Sequence, residues 1–390
     1  MTSVIFSIGV RLPGEGMGNH AYNTALGLDR HHLLKRAFLM QYHGTGLDPA
    51  KVKTCYLIER ITFRLSRHTG LNKYVLRDNA FDWWISHQLE PATVFYGWNH
   101  LAWWSIRRAK RLGMLTILER ANSHPNTYTR LLAEEHKKRG IPYSPYHPLI
   151  FKKHLRELEE TDYIAVTSEF TRQGLLEEGI DEDRILLTPL GVDPEHFVPL
   201  PPDSSIRKGQ EANTPERFRV LYVGQICVRK GIPYLLEAWR KLRLRQAELV
   251  LVGDVVDDVK DLLARYLHQD ETITLLPHTP DPVRAYQNAT LFILPSLEDG
   301  FGLVVLEAMA CGLPVIVTEH TGAKDCVRHA VDGWIIPPYS VESIAETLRY
   351  CYDHREKLAV MGTNARQQAE YFSWQRYQED LVAQIKRITA

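Results

Sequence analysis

The sequence predicts an α/β protein of two doubly wound, Rossmann-like domains facing a central cleft, and three features of its 390 residues carry that prediction. Short, continuously apolar runs of the kind that form strands buried on both faces of a parallel sheet alternate with helical stretches. The succession of strand, glycine loop and helix start occurs near the N-terminus, at Val4–Asp29, and again around Pro295–Pro314. At about 150 residues per domain the length admits two domains, and 44% apolar residues can fill their cores.

Charge and cysteine usage narrow the function classes. Lys+Arg and Asp+Glu balance at 47 each, so no global field selects nucleic acid or a strongly acidic partner, and any anion site must be local. The five cysteines (Cys55, Cys227, Cys311, Cys326, Cys351) are scattered, odd in number and without a CxxC spacing. This argues against a disulfide framework or a zinc site and fits a reducing cytoplasm. The N-terminal SVIFSIGV has no basic segment before it, and no apolar run reaches the ~18 residues needed to span a bilayer. The expectation is a cytoplasmic protein, at most held at the inner face of a membrane.

The first domain is expected over residues 1–198. Val4–Val10 reads as a buried strand, Arg11–Gly18 as a loop and His20–Asp29 as a helix. Small residues Gly14, Gly16 and Gly18 would let that loop approach a phosphate or an acceptor, although a tight turn would use the same glycines. Strands follow at Ala37–Tyr42, Thr93–Tyr96, Leu115–Glu119 and Tyr163–Thr167, with helices at Phe81–Gln88, Leu101–Leu112 and Lys152–Thr161. Trp83, Trp84, Trp98, Trp103 and Trp104 lie close to Arg107, Arg108, Lys110 and Arg111. Such a set suits a peripheral membrane contact, but a tryptophan-rich core with a solvated basic face is the preferred interpretation. The segment Leu118–Gly140 starts at the carboxyl end of a strand, where open sheets place ligands, and offers His124 and Arg120 as competing site residues.

Pro199–Pro215 is proline-rich and polar, which places a linker at 199–216 and a second domain at 217–370. There, strands are expected at Phe218–Gly224, Ala247–Asp254, Thr272–Leu276, Leu291–Pro295, Pro314–Thr318 and Gly333–Pro338. Helices fall at Ile232–Leu242, Pro282–Asn288 and Leu303–Ala310. The aspartates Asp254, Asp257 and Asp258 read as a solvated loop rather than as metal ligands. The apolar residues of Phe372–Ile388 recur at helical spacing, which gives a C-terminal helix within 371–390.

The most informative stretch is PSLEDGFGLVVLEAMACGLP, Pro295–Pro314. A strand that feeds a glycine loop into a helix N-terminus leaves backbone N–H groups aimed at one spot beside the positive end of the helix dipole. Asp299 in the loop and Glu307, roughly 6 Å along the helix, bracket that spot. A nucleotide diphosphate sugar fits it: pyrophosphate on the amides of Leu303 and Val304, ribose on one carboxylate and the transferred sugar on the other.

This stretch resembles the signature of the retaining glycosyltransferases of family 4, members of the GT-B superfamily, usually written EGFGLPVLEAMACGTPV; here it is DGFGLVVLEAMACGLPV. The resemblance implies that Asp299 contacts the donor sugar near the reacting carbon and that Glu307 binds the ribose. Asp299 is one methylene shorter than the usual Glu, and Glu298 beside it should leave the backbone in another direction. Gly300, Phe301, Gly302, Leu303 and Val304 would form the donor-binding loop and helix start, with Gly16 in the first-domain loop.

In the family, a glycine after the first strand of the second domain precedes an arginine and, six residues on, a lysine that both bind pyrophosphate. Gln225 occupies the arginine position here, Lys230 keeps the lysine spacing, and Arg229 is placed to supply the second cation. Relatives often carry a histidine after the strand that His124 follows, so His124 is carried over as a catalytic candidate. The Pro189–Asp193 and Phe197–Pro199 pattern is similar to the family's end-of-first-domain sequence, with Gly191 and Asp193 read as turn residues, and relatives send the C-terminal helix back onto the first domain.

The implied activity is metal-independent transfer of a sugar, with retention, from a nucleotide diphosphate sugar to a hydroxyl of a glycan, lipid-linked or small-molecule acceptor. No cofactor beyond the donor is implied. Two alternatives share the architecture: another GT-B enzyme such as a nucleotide-sugar epimerase, or a non-catalytic nucleotide-sugar-binding module, which the changes at Asp299 and Gln225 favour. A dinucleotide oxidoreductase lacks support, because no GxGxxG follows a strand with an acid about twenty residues on.

Overall fold

A computed structural model describes residues 2–143, 146–200 and 217–390. The first sheet contains β1 (Val4–Leu12), β2 (Leu34–Tyr42), β3 (Val52–Thr54), β4 (Val94–Trp98), β5 (Leu115–Arg120), β6 (Tyr163–Val166) and β7 (Ile185–Leu187). The second contains β8 (Phe218–Val223), β9 (Ala247–Val252), β10 (Ile273–Leu276), β11 (Leu291–Leu294), β12 (Val315–Thr318) and β13 (Gly333–Ile336). Strand orders are β3-β2-β1-β4-β5-β6-β7 and β10-β9-β8-β11-β12-β13, and every pairing is parallel.

Each sheet therefore reverses its winding once, between β1 and β4 and between β8 and β11, and the carboxyl ends at such a reversal open a crevice for ligands. The strands read as continuous apolar runs because helices cover both faces, and Phe6, Phe95, Ile117, Leu221, Phe292 and Ile316 are wholly buried.

Most of the missed structure lies in residues 43–80. The strand β3 is only three residues long, and the helix Tyr56–Thr69 carries Leu57, Ile61 and Leu65 on the face that solvent reaches, so neither gives a core-forming pattern. The next helix begins at Lys73 rather than Phe81, because the Asn72 side chain accepts from the amides of Tyr74 and Val75 and caps it there. Of the expected linker, only residues 199 and 200 belong to the described residues.

The helix Trp374–Thr389 follows the second sheet in sequence yet packs on Met17–Arg30 of the first domain, where Gln378 donates to Asn23 at 3.2 Å. On the way it pairs with the first domain: the Val192 amide donates to Phe372 and the Trp374 amide to Val192. Gly191, expected as a turn residue, instead lies flat against that crossing, since a Cβ there would come within 2.4 Å of the Ser373 carbonyl carbon. Asp193 does act in a turn, its side chain accepting from the amides of Glu195 and His196.

The tryptophan-rich region divides. Trp98 is core, Trp83 is exposed, and the basic residues beside them are partly paired, Arg107 with Glu160 and Lys110 with Asp162. The indole of Trp103 also donates to Glu160.

Candidate active site

The cleft between the sheets encloses about 730 Å³. From the first domain it is lined by the loop after β1 (Gly14, Glu15, Gly16), by His20 and by Ala121 and Asn122 after β5. From the second come Gln225, Arg229 and Lys230 after β8, and Asp299, Phe301, Gly302, Leu303, Val304 and Glu307 after β11. Two helix N-termini thus meet across it. Gly16 and Gly302 both cap their helices without a side-chain hydrogen bond, which leaves first-turn amides, among them those of Leu303 and Val304, for an anion.

Lys230 and Asp299 form an ion pair, with both side chains nearly buried at the cleft wall. Lys230 is delivered there by a tight turn: Gly231 has φ 73°, and a Cβ on it would lie 1.9 Å from the carbonyl oxygen of Pro295, so the β8 loop packs directly on the β11 loop. Glu307 accepts from the Tyr286 hydroxyl at 2.9 Å. Burial pushes its carboxyl up to about 7 against the lowering effect of that hydrogen bond, and Glu15 across the cleft pushes in the same direction as burial.

Glu298 does diverge from Asp299. It is fully buried at the domain junction, where its carboxylate accepts from the Ser123 amide and hydroxyl, both at 3.0 Å, and lies 3.5 Å from Arg229. Arg229 lines the cleft but is anchored, donating to the Glu298 carbonyl at 3.0 Å.

Two expected site residues fall elsewhere. Gly300 does not line the cleft; its carbonyl accepts from Ser168 at 2.6 Å, and a Cβ would come within 1.8 Å of the Ala121 carbonyl oxygen, so it is where the domains touch. His124 caps the helix Pro125–Arg139, its Nδ1 accepting from the Asn126 amide, and it faces Glu178 rather than the cleft. Burial pushes its imidazole down to about 4. Its competitor Arg120 is also buried, donating to the carbonyls of Asn122 and Ser123 and contacting His154. Both side chains serve the backbone where the polypeptide bends after β5, Arg120 satisfying carbonyls and His124 an amide of the next helix.

Besides His196, the histidine that lines the cleft is His20, which sequence patterns placed simply at a helix start. Its Nε2 lies 2.9 Å from the hydroxyl of Tyr377, which the C-terminal helix brings back to the first domain. Thr24 lies 3.1 Å from the His20 carbonyl and 2.7 Å from the Tyr377 hydroxyl, so His20, Tyr377 and Thr24 form one buried hydrogen-bonded chain. Glu119 lies 3.8 Å from His20, but burial pushes its carboxyl up to about 8 and the His20 imidazole down to about 3. Both are neutral at pH 7, so their approach is not an ion pair.

Glu15 and His278 meet at 3.0 Å across the cleft mouth, joining the β1 loop to the loop after β10. Thr279 and Pro280 from that same loop line the cleft beside Glu15. Among the described residues no three His, Cys, Asp or Glu side chains converge as metal ligands, and all five cysteines are buried and unpaired.

Residues 204–368 match the family model described as glycosyl transferases group 1. The chain is 31% identical over 209 residues to a D-inositol 3-phosphate glycosyltransferase of Paenarthrobacter aurescens, a match covering 51% of this chain and 50% of the relative. It is also 31% identical over 173 residues to the capsular polysaccharide biosynthesis glycosyltransferase CapM of Staphylococcus aureus, covering 43% and 45% of the two chains. The chain thus spans about half the length of the curated relatives it matches.

Among solved structures, Anabaena Alr3699/HepE in complex with UDP and glucose superposes with a TM-score of 0.69 at 14% identity, over 99% of this chain and 100% of that one. WaaG, a glycosyltransferase involved in lipopolysaccharide biosynthesis, superposes with a TM-score of 0.68 at 18% identity, over 96% and 97%. At these identities the likeness shows the fold, which is GT-B throughout.

Proposed function

We propose, from a second domain that matches the glycosyl transferases group 1 family, that this chain moves a sugar from a nucleotide diphosphate sugar to an acceptor hydroxyl, with retention and without a metal ion. One observation carries the proposal. Lys230, Asp299, Glu307 and the free amides of Leu303 and Val304 line one wall of the cleft and so offer a cation, two carboxylates and a helix start to one ligand.

In this assignment the pyrophosphate lies on the Leu303 and Val304 amides and against Lys230, which stabilise the charge that develops on the leaving phosphate. Glu307 accepts from ribose hydroxyls while Tyr286 fixes its other contact. Asp299, released from Lys230 as phosphate replaces it, accepts from hydroxyls of the transferred sugar. The acceptor enters from the first-domain side, where the His20 imidazole orients its hydroxyl. Attack from the face of the leaving group, with the departing phosphate taking the proton, requires no protein nucleophile.

The test is a panel of UDP-, GDP- and ADP-sugars, followed by thermal shift and by nucleotide release, with and without EDTA. One donor is expected to stabilise the protein and to be slowly consumed regardless of EDTA. Stabilisation with no release under any acceptor would establish a binding module instead, and loss of release on adding EDTA would overturn metal independence.

A further inference from the structure

The helix Tyr56–Thr69 turns the wrong face outward for a soluble protein. Leu57, Ile61 and Leu65, spaced four residues apart and therefore on one face, are 67%, 61% and 44% exposed. Leu71 and Tyr74 extend the apolar strip past the helix end, and Tyr56 begins it. Thr62, by contrast, is the helix's one buried residue.

Arginines accompany the strip. From Tyr56 through Arg77 there are five Lys or Arg residues and one acid, Glu59, which the Gln41 side chain engages. Arg60, Arg64 and Arg67 are exposed, and Arg64 and Arg67 make no ion pair among the described residues. Lys73 lies over the Tyr74 ring at 4.9 Å, so cation and aromatic are presented together.

We propose that this face is a docking surface for an anionic lipid bilayer. An apolar row flanked by guanidinium groups matches the boundary between acyl chains and phosphate headgroups: leucine and isoleucine enter the first, and the arginines stay with the second. A second copy of the chain fits less well, because a two-fold contact through this strip would set Arg60, Arg64 and Arg67 beside their own counterparts. No helix among the described residues is long and apolar enough to cross a membrane, so the segment lies on the surface.

Its place in the fold gives the docking a consequence. The helix leaves β3 at the carboxyl end of the first sheet and hands over to Lys73–Ser86, which runs back toward the start of β4. It therefore sits at the end of the first domain where the cleft opens, and a bilayer bound there would face the acceptor side.

The test is co-sedimentation of the full chain with vesicles of phosphatidylcholine alone or mixed with phosphatidylglycerol, at low and high salt. No donor is present, so the outcome is independent of the transfer assignment. Binding is expected only to the mixed vesicles and is expected to fall with salt. The variant Arg60→Glu/Arg64→Glu is expected to bind about tenfold more weakly or worse. Leu57→Ser/Ile61→Ser is expected to lose binding while keeping the parent's melting temperature, since both side chains already meet solvent. Equal binding to both vesicle types, no binding to either, or variants that bind as the parent does would overturn the proposal. So would a parental dimer that the same substitutions dissociate, which would make a second copy the occupant.

Discussion

The hydroxyl of Tyr377 lies 2.9 Å from Nε2 of His20, a contact across 357 positions of sequence that joins the last helix of the chain to the wall of the cleft. The C-terminal helix thus does more than cover apolar surface, because it holds a cleft histidine by a side-chain hydrogen bond. His20→Ala is expected to lower acceptor-dependent turnover by roughly a hundredfold, the range of a positioned hydrogen-bonding group at a reacting centre. Donor affinity, measured by calorimetry, should be nearly unchanged.

Tyr377→Phe separates positioning from packing. The ring stays, but His20 Nε2 and Thr24 lose their partner in a buried site, at a cost of about 1–2 kcal/mol in stability. Because the imidazole then loses the contact that holds its ring in place, kcat should fall more than the KM for the acceptor rises. A variant with lower melting temperature and parental kcat would show Tyr377 to be structural only.

Lys230→Ala removes the cation that pairs with Asp299. A charge-assisted contact to phosphate contributes about 1.5–3 kcal/mol, so donor affinity should drop by roughly ten- to a hundredfold. Asp257→Ala is the control: that aspartate is exposed and lines a separate pocket with Lys138 and Tyr234, so donor titration and turnover should match the parent.

Gly300→Ala tests how the domains are joined. The added methyl would sit 1.8 Å from the Ala121 carbonyl oxygen, in backbone that cannot rotate away, and the Ser168 contact to the Gly300 carbonyl would be displaced. Expected losses are about 2 kcal/mol or more in denaturant unfolding, with the cleft opening as the domains separate. Small-angle scattering would detect that opening, and an unchanged profile with parental stability would contradict it.

How far the sequence could be read follows from what each residue touches. The helices Ile232–Leu242 and Leu303–Ala310 were legible to the residue, because local propensity, glycine punctuation and apolar burial agree there. That Lys230, Asp299 and Glu307 line the cleft was legible because each projects from a loop or helix start within one short segment. His124 and His20 could not be told apart in the same way. Which histidine reaches the cleft depends on a bend after β5 that turns one inward and on a helix from the other end of the chain that holds the second. The helix Tyr56–Thr69 was missed for a related reason: its pattern is amphipathic, but its apolar side is not the buried one.

The pH dependence of Glu307 can be given a sign. Its carboxyl is held at about 7 in the folded chain, against about 4.5 in the unfolded one, chiefly by burial. Below both values the group is protonated in each state and contributes nothing to pH dependence; between them the folded state alone keeps its proton, so stability falls as pH rises through that window. Glu307→Gln should remove this slope, making the variant more stable than the parent above pH 7 by on the order of 1 kcal/mol, a figure reduced because the side chain opens to the cleft. The two should melt alike near pH 4. Donor binding runs the other way. Ribose hydroxyls need the ionised carboxylate as acceptor, so parental affinity should weaken as pH falls below about 7, and the variant's lower affinity should be flat across the range. A pH-independent parental affinity would mean that Glu307 meets the donor in its protonated form or not at all.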